Sequence, residues 1–173
     1  MKQIRRSVFE TNSSSMHSVS ISNKRNYLYD EDCLLVDVDD YVHVRFGEFG
    51  WEIESYNDAY SKLQYIVTML VETEGRRVMS SDDLFETDGF KLINDAVADY
   101  CHCKGIWIDS WMKMELYEWD GRKELYLEHD GYIDHQSHED YSCVKDFLDD
   151  YGVSITDFIF NSGVVVHTDN DNH

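Results

Sequence analysis

The sequence predicts an α+β fold in which about three helices pack on a mainly antiparallel sheet within one compact domain. Predicted strands come in pairs joined by tight turns, and this arrangement favours antiparallel pairing over a doubly wound sheet. The chain of 173 residues is 42% hydrophobic, which is enough to build a core without disulfides. It contains no proline and no repeat of about 20–50 residues. We therefore treat residues 1–173 as one domain that ends in a frayed tail over 168–173.

The first third of the chain has the alternation that is typical of strands. Apolar residues recur at every second position over Ser18–Ser22 and Tyr41–Phe46. Leu34–Val38 comes shortly before the second of these runs, and Asp39-Asp40 between them is typical of a turn. The pattern predicts a hairpin that begins at Leu34.

Three later segments predict helices because their apolar residues recur at steps of three and four positions. The first contains Ala59 to Leu70 and stops at about Gly75, the second covers Asp88–His102, and the third runs from near Ser137 to about Tyr151.

Two hairpins are predicted in the second half of the chain. Asp120-Gly121 lies between the runs Met112–Trp119 and Lys123–Glu128, and Asp-Gly suits a type I′ turn because both positions need a positive φ. Ile155–Phe160 and Val164–His167 predict a second, closing hairpin.

The charge of the chain excludes several classes of protein. Asp and Glu number 35 against 15 Lys and Arg, so the formal net charge is −20. Direct binding of nucleic acid is excluded because phosphate contacts need a basic face. No apolar run approaches the roughly 18 residues of a membrane span, and Met1–Ser7 is not followed by the apolar stretch of a signal peptide. The sequence predicts a cytoplasmic protein that does not contact membranes.

The carboxylates are concentrated between Asp30 and Asp58, where ten acidic residues accompany one Lys or Arg, Arg45. A globule of this length is about 40 Å across, so its net charge approaches the density of duplex DNA, about one charge per 1.7 Å. Such a field attracts basic proteins that handle nucleic acid, although the charge can also serve solubility alone. The candidate partner-binding residues are Asp37, Asp39, Asp40, Glu48, Glu52 and Glu54.

Cysteine and histidine pairs suggest a structural zinc site. Cys101-His102-Cys103 places three soft ligands together, and His135 and His138 stand just before the third predicted helix. Thiolate and imidazole are the ligands that zinc prefers, usually four in a tetrahedral array. Two alternatives stay open: buried thiols with exposed histidines, and a metal-dependent hydrolase centred on His135 and His138, which lacks an H-E-x-x-H pattern.

The hydroxyl-rich segment Glu10–Ser18 contains His17, which raises the question of a Ser–His nucleophile. No oxyanion element and no third catalytic group are visible in the sequence, so a polar turn is the favoured interpretation. The sequence predicts a protein that acts by binding and is not an enzyme.

Three segments carry a resemblance to a known group of proteins. They are Arg5–Ser18, which contains Phe-Glu-Thr-Asn-Ser-Ser-Ser-Met-His-Ser, together with Phe46–Trp51 and Gly131–Ser137. In these segments the chain resembles small proteins of phages and Gram-positive bacteria, some of which look like anti-CRISPR proteins that block a type II effector nuclease. At least one of those inhibitors is a metalloprotein.

The resemblance implies a phage-encoded inhibitor that works in the cytoplasm of a host cell and blocks DNA loading or cleavage by binding the nuclease. The basic channel of such an effector normally holds the guide–target heteroduplex. If the shared segments meet in space, the resemblance nominates His17 and His135 as zinc ligands beside Cys101 or Cys103. A phage protein of structural or regulatory role, with a merely solubilising charge, is the remaining alternative.

Overall fold

The computed structural model describes residues 15–21, 34–50, 54–119, 121–133 and 141–170, and within these ranges the chain is α+β, as predicted. The strands are β1 Ser15–Ile21, β2 Val42–Val44, β3 Glu48–Phe49, β4 Glu54–Tyr56, β5 Ile106–Ile108, β6 Met112–Trp119, β7 Arg122–His129, β8 Tyr132–Ile133 and β9 Val164–Asn170. The helices are α1 Ala59–Thr73, α2 Asp88–Cys101, α3 Val144–Tyr151 and α4 Ile155–Phe160, with 3-10 turns at Gly75–Arg77 and Asp82–Glu86.

Helix α1 is the centre of the fold. Twelve of its fifteen residues are buried, so the helix meets other elements on nearly every side. Strands β2 and β8 and helices α2, α3 and α4 all pack against it. Its start is fixed by Asp58, whose Oδ1 accepts a hydrogen bond from the Ser61 N–H at 2.8 Å. The apolar spacing that predicted this helix is confirmed, as is the spacing that predicted α2.

The small sheets are mixed, so the prediction of a mainly antiparallel sheet is wrong. Strand β9 lies between β1 and β4 in an antiparallel three-stranded sheet, and β6 pairs with β7. Strand β2, in contrast, pairs with β5 in parallel, and β3 pairs with β8 in the same way. Both parallel pairs join strands that lie on either side of α1 and α2 in the sequence. Crossovers of this length leave no local signal, whereas a tight hairpin does.

The first predicted hairpin is reduced to one antiparallel bridge between Val36 and Val42. Asp37 forms a turn in its place, because its Oδ1 accepts hydrogen bonds from the N–H groups of Asp39 at 2.9 Å and Tyr41 at 2.8 Å. Such side-chain bonds offer the backbone an alternative to a strand ladder. Strand β2 therefore pairs along its length with β5 and not with the segment that begins at Leu34.

The prediction of the closing hairpin is wrong for its first half, because residues 155–160 form helix α4 instead of a strand. Ser154 caps this helix, since its Oγ accepts a hydrogen bond from the Asp157 N–H at 3.0 Å. The buried residues Ile155, Phe158 and Ile159 have helical spacing. The cap and the spacing together explain why the segment is a helix and bring the number of α-helices in the described ranges to four.

The second half of that hairpin is confirmed as β9, which extends to Asn170. Residues 168–170 therefore belong to a paired strand and not to a frayed tail, while residues 171–173 lie outside the described ranges. The predicted start of the third helix at Ser137 also lies outside them, and α3 begins at Val144. The hairpin of β6 and β7 is confirmed, with Gly121 at a φ of 74° as its turn requires.

Two buried charged side chains join elements around α1. Lys62 is fully buried, and its Nζ donates hydrogen bonds to the carbonyl oxygens of Asn161 at 2.8 Å and Val164 at 3.2 Å. Glu74 is buried just after α1, where its carboxylate accepts hydrogen bonds from the N–H groups of Gly89 at 3.0 Å and Val144 at 3.2 Å. Glu74 thus satisfies backbone donors at the N-termini of α2 and α3, where a negative charge is favourable.

The buried apolar residues form one cluster around α1. That the whole chain is a single domain stays a prediction. None of the helices in the described part of the chain is long and apolar enough to cross a bilayer.

Candidate functional site

Strands β2 and β5 present an exposed face beside the Asp37 turn. Val42 and Val44 are buried, so the residue between them, His43, points away from the core. Its register partner on β5 is Trp107, which is 55% exposed. We call this region the Asp37 surface and define it as Asp37, Val38, Asp39, Asp40, Tyr41, His43, Lys104, Trp107 and Asp109.

His43 is bound by carboxylates at both ring nitrogens. Its Nε2 lies 2.8 Å from Asp37 Oδ2, and its Nδ1 lies 2.8 Å from Asp109 Oδ2. Carboxylates only accept hydrogen bonds, so an imidazolium that donates from both nitrogens satisfies this arrangement. The bonds to Asp37 and Asp109 accordingly raise the pKa of His43 above its ordinary value of 6.5. The charged imidazole joins the Asp37 turn to the end of β5.

The carboxylate of Asp37 is held in its ionised form. The backbone N–H of Tyr41 and the imidazole of His43 lower the pKa of Asp37 below its ordinary value of 3.8. The same carboxylate therefore shapes the turn with one oxygen and fixes His43 with the other. Its position is set before any partner arrives, and such preorganisation reduces the ordering cost of binding.

Aromatic and apolar side chains lie among these charges. Tyr41 and Trp107 make an edge-to-face contact with ring centroids 5.9 Å apart. Lys104 lies with its Nζ 5.4 Å from the centre of the Tyr41 ring and donates a hydrogen bond to the Asp39 carbonyl oxygen at 2.8 Å. Val38, at the tip of the turn, is 98% exposed. Tyr41 is half-buried and already contacts Lys104, so Trp107 is the exposed ring of this pair. An exposed ring beside fixed carboxylates is a suitable contact for Arg and Lys, through ion pairs and cation–π contacts.

The structure brings together only part of the predicted partner-binding set. Asp37, Asp39 and Asp40 lie in one turn. Glu48 and Glu54 are exposed on β3 and β4, which belong to two other sheets. Glu52 lies outside the described residues.

Sequence reasoning missed six members of the Asp37 surface, three of which, His43, Trp107 and Asp109, carry the argument for a fixed geometry. The alternation over Tyr41–Phe46 could have placed His43 on an exposed face. The other two meet His43 only through the parallel pairing of β2 with β5, which no local pattern reveals.

The predicted zinc ligands are only partly described. Cys101 ends α2, and Cys103 follows a left-handed residue, His102, with a φ of 54°. Cys103 Sγ lies 3.6 Å from the Gly105 carbonyl oxygen, which is a weak hydrogen-bond contact. His17 lies in β1 in register with Thr168, and the positions of His135 and His138 lie outside the described residues.

Among the residues that the structure describes, no group of three or more His, Cys, Asp and Glu side chains could hold a metal ion. The zinc site, with ligands from His17, Cys101, Cys103, His135 and His138, stays a prediction. The hydrolase alternative also stays open, because both of its histidines lie outside the described ranges.

Two of the three segments that carry the resemblance pack together. Strand β3 lies in the second segment and β8 in the third, and they pair in register as Glu48 with Tyr132 and Phe49 with Ile133. The Tyr132 N–H also donates a hydrogen bond to the Gly47 carbonyl oxygen at 2.9 Å. The first segment ends in β1, which belongs to another sheet. Segments two and three therefore meet, and the first pairs elsewhere, with β9.

The chain matches no protein-family model, no curated protein and no solved structure. A function has to be argued from the chemistry of its own surface. The Asp37 surface is the candidate site, because it combines the exposed Trp107 ring with carboxylates in fixed positions.

Proposed function

We propose that the protein binds a basic, nucleic-acid-handling protein through the Asp37 surface and inhibits it without catalysis. The observation that carries this proposal is the pair of 2.8 Å contacts that hold His43 between Asp37 and Asp109 on an exposed face. They fix carboxylates beside Trp107 and Tyr41 on a chain with a net charge of −20. A basic partner is the complement of this chemistry.

The arrangement supports binding in two ways. The net charge accelerates encounter with a positively charged partner, because long-range attraction raises association rates. The exposed Trp107 ring supplies contact area after encounter, and tryptophan is enriched at the centres of protein interfaces. A charge that serves only solubility does not require carboxylates in fixed positions.

The resemblance supplies the particular partner in this proposal. A type II CRISPR effector nuclease has a basic channel for the guide–target heteroduplex. An acidic protein that occupies or distorts this channel blocks DNA loading or cleavage by binding alone. The proposed place of action is the cytoplasm of the bacterial host.

DNA cleavage by the purified nuclease with its guide RNA tests this proposal. Wild-type protein should inhibit only when it is present at about the nuclease concentration. The triple variant D37N/D39N/D40N should need on the order of tenfold more protein. The control variant D82N/D95N/D99N changes the net charge equally at exposed residues of a 3-10 turn and α2, and it should inhibit like wild type.

Two outcomes would contradict the proposal. Equal inhibition by the two triple variants would show that the Asp37 surface does not take part in binding. Complete inactivation of the nuclease by substoichiometric protein would show multiple turnovers and favour the metal-dependent hydrolase. The variant S13A/S14A/S15A completes the set and should inhibit fully, since no nucleophile is proposed in the Glu10–Ser18 segment.

A further inference from the structure

Among the described residues, the hairpin of β6 and β7 packs on the rest of the protein near its base. Leu127 is buried there, with its Cδ2 3.4 Å from where a Cβ on Gly75 would lie. Met112 and Met114 are partly buried against the core. Within the described ranges, β6 and β7 pair only with each other. In the part of the chain that the structure describes, side chains on both faces of the far half of this antiparallel hairpin are exposed.

Large apolar side chains are exposed on both faces of that far half, which we call the hairpin tip and define as residues 115–118 and 123–126. Leu116 and Leu125 are register partners and are 58% and 38% exposed. Tyr117 and Tyr126 lie on the opposite face, with ring centroids 6.1 Å apart. A lone two-stranded hairpin is marginally stable in water, and contiguous exposed apolar groups mark interaction sites.

The charges around the tyrosines indicate what covers the hairpin tip. Glu115, Glu124 and Glu128 share the face of Tyr117 and Tyr126 by strand alternation. Strand alternation places two basic residues on this face, Lys113 and Arg122, against three glutamates, and Lys113 is already paired with Glu115. Aromatic rings flanked by carboxylates complement Arg and Lys side chains.

A second copy of the chain is a poor binding partner for the hairpin tip, because its charge does not complement the glutamates there. Two copies would bring together two molecules with a net charge of −20 each. Face-to-face stacking of two hairpins would also oppose like carboxylates, which is destabilising.

We propose that the hairpin tip is a docking arm that inserts into a basic groove of a partner protein. This inference rests on the proposed function for the class of partner, and it adds a second contact element beyond the Asp37 surface. The two elements should differ in their kinetics. Charges of the Asp37 surface should act mainly on the association rate, whereas buried apolar anchors of the arm should act mainly on the dissociation rate.

The test is surface plasmon resonance with the type II effector nuclease bound to its guide RNA. The variant L116T/L125T/Y126T removes apolar contacts and keeps residues that favour strands. We expect its dissociation rate to rise roughly tenfold or more while its association rate stays within about twofold of wild type. The control variant Y60Q/M79Q removes exposed apolar side chains elsewhere and should dissociate like wild type.

Hydrogen exchange should first show that β6 and β7 remain paired in the variant. If pairing is lost, Y126T alone replaces the triple variant, with a smaller rise of about threefold in the dissociation rate as the expected result. An unchanged dissociation rate overturns the docking arm and leaves the Asp37 surface standing. If D37N/D39N/D40N binds like wild type while the arm variant dissociates faster, the proposed role of the Asp37 surface fails and the arm stands.

Absence of wild-type binding overturns both proposals. Analytical sedimentation of the protein without the nuclease tests whether two copies of the chain bind each other. A dimer that L116T/L125T/Y126T abolishes would show that the arm is covered by a second copy, and it would overturn the basic partner as its occupant.

Discussion

At the scale of single residues, His43 is the group that gives the Asp37 surface its fixed geometry. An imidazolium can donate to Asp37 and Asp109 together, whereas a neutral imidazole has one N–H to donate. Deprotonation therefore breaks one of the two contacts. Asp37 keeps its bond to the Tyr41 N–H in either case, so the turn survives and its link to β5 is weakened.

The first prediction is a raised pKa for His43. Because the pKa is higher in the folded state, the stabilisation by this group is complete below about pH 6.5 and is lost as the pH rises through the folded pKa. An NMR titration should place the His43 midpoint above 6.5 in wild type and lower in D109N. A midpoint at or below 6.5 in the wild-type protein would show that the two carboxylates do not hold the imidazolium.

Lys62 provides the second prediction, which concerns stability in alkaline solution. Its burial lowers its pKa to about 8. Below pH 8 the lysine is charged in both states, and the cost of burying the charge is fully present. Between pH 8 and about 10.5 the unfolded chain binds more protons than the folded chain, so this group adds stability as the pH rises, by up to about 1.4 kcal/mol per unit.

Chemical denaturation between pH 8 and 9.5 measures this effect. At pH 9.5 about a quarter of each tyrosine is ionised in the unfolded chain, and the raised pKa values of the buried tyrosines, Tyr65 among them, then oppose the trend, so the effect of Lys62 is the difference in slope between wild type and a variant without this lysine. The K62M variant cannot titrate and should lack the upward slope. Parallel slopes in wild type and K62M would contradict the buried position of the ammonium group.

At the scale of elements, the structure shows which parts of the fold local sequence can predict. Helices α1 and α2 and the hairpin of β6 and β7 follow from apolar spacing and an Asp-Gly turn within one segment. Helix α4 was missed because its six residues are short enough to pass for a strand. Its cap at Ser154 was the available signal.

The candidate site was predictable to a smaller extent. The acidic composition led to Asp37, Asp39 and Asp40, which do lie in one turn. Trp107 and Asp109 come to this turn through a parallel pair of strands that α1 and α2 separate in sequence. Contacts between distant segments depend on the packing of the whole core, so a local pattern cannot contain them.

The third prediction concerns the junction of α2 and α3 at Glu74. A Cβ on Gly89 would lie 2.1 Å from Glu74 Oε1, so G89A must displace the carboxylate from the backbone N–H groups of Gly89 and Val144. We expect a loss of about 2–4 kcal/mol in the free energy of unfolding, because buried donors lose their acceptor.

Urea denaturation checks this loss, with E74Q as the matched variant. Glutamine retains one carbonyl oxygen and should cost less than G89A. A G89A protein as stable as wild type would show that the two helix N-termini do not depend on Glu74.

At the scale of the whole molecule, the zinc hypothesis provides the fourth prediction. The protein purified without added metal should contain about one zinc per chain by mass spectrometry, and chelation should lower its thermal midpoint, because such sites form on folding. The variant C101S/C103S should lose zinc, because it removes both predicted thiolate ligands. A folded, metal-free protein whose stability does not respond to zinc would contradict the zinc hypothesis.

The net charge of −20 is also a property of the whole molecule, and it acts over a longer range than any contact. At physiological ionic strength the field is screened over about 8 Å, so its effect on encounter depends on salt. Substitution of exposed carboxylates such as Asp82, Asp95 and Asp99 should also reduce repulsion within the chain and leave stability equal or slightly higher. Asp37 differs because its carboxylate holds the turn and His43, so a loss of binding in D37N/D39N/D40N reports on the interface once hydrogen exchange shows that the fold is retained.

The association rate with the type II effector nuclease tests the central claim most directly, and it is the fifth prediction. It should be measured for wild type, D37N/D39N/D40N and D82N/D95N/D99N at low and at physiological ionic strength. The Asp37 surface predicts that the first variant associates on the order of tenfold more slowly than wild type at low salt, that the second associates nearly as fast as wild type, and that the difference shrinks as salt is added. Equal association rates for all three proteins at both salt concentrations would show that the charge serves only solubility and would contradict binding through the Asp37 surface.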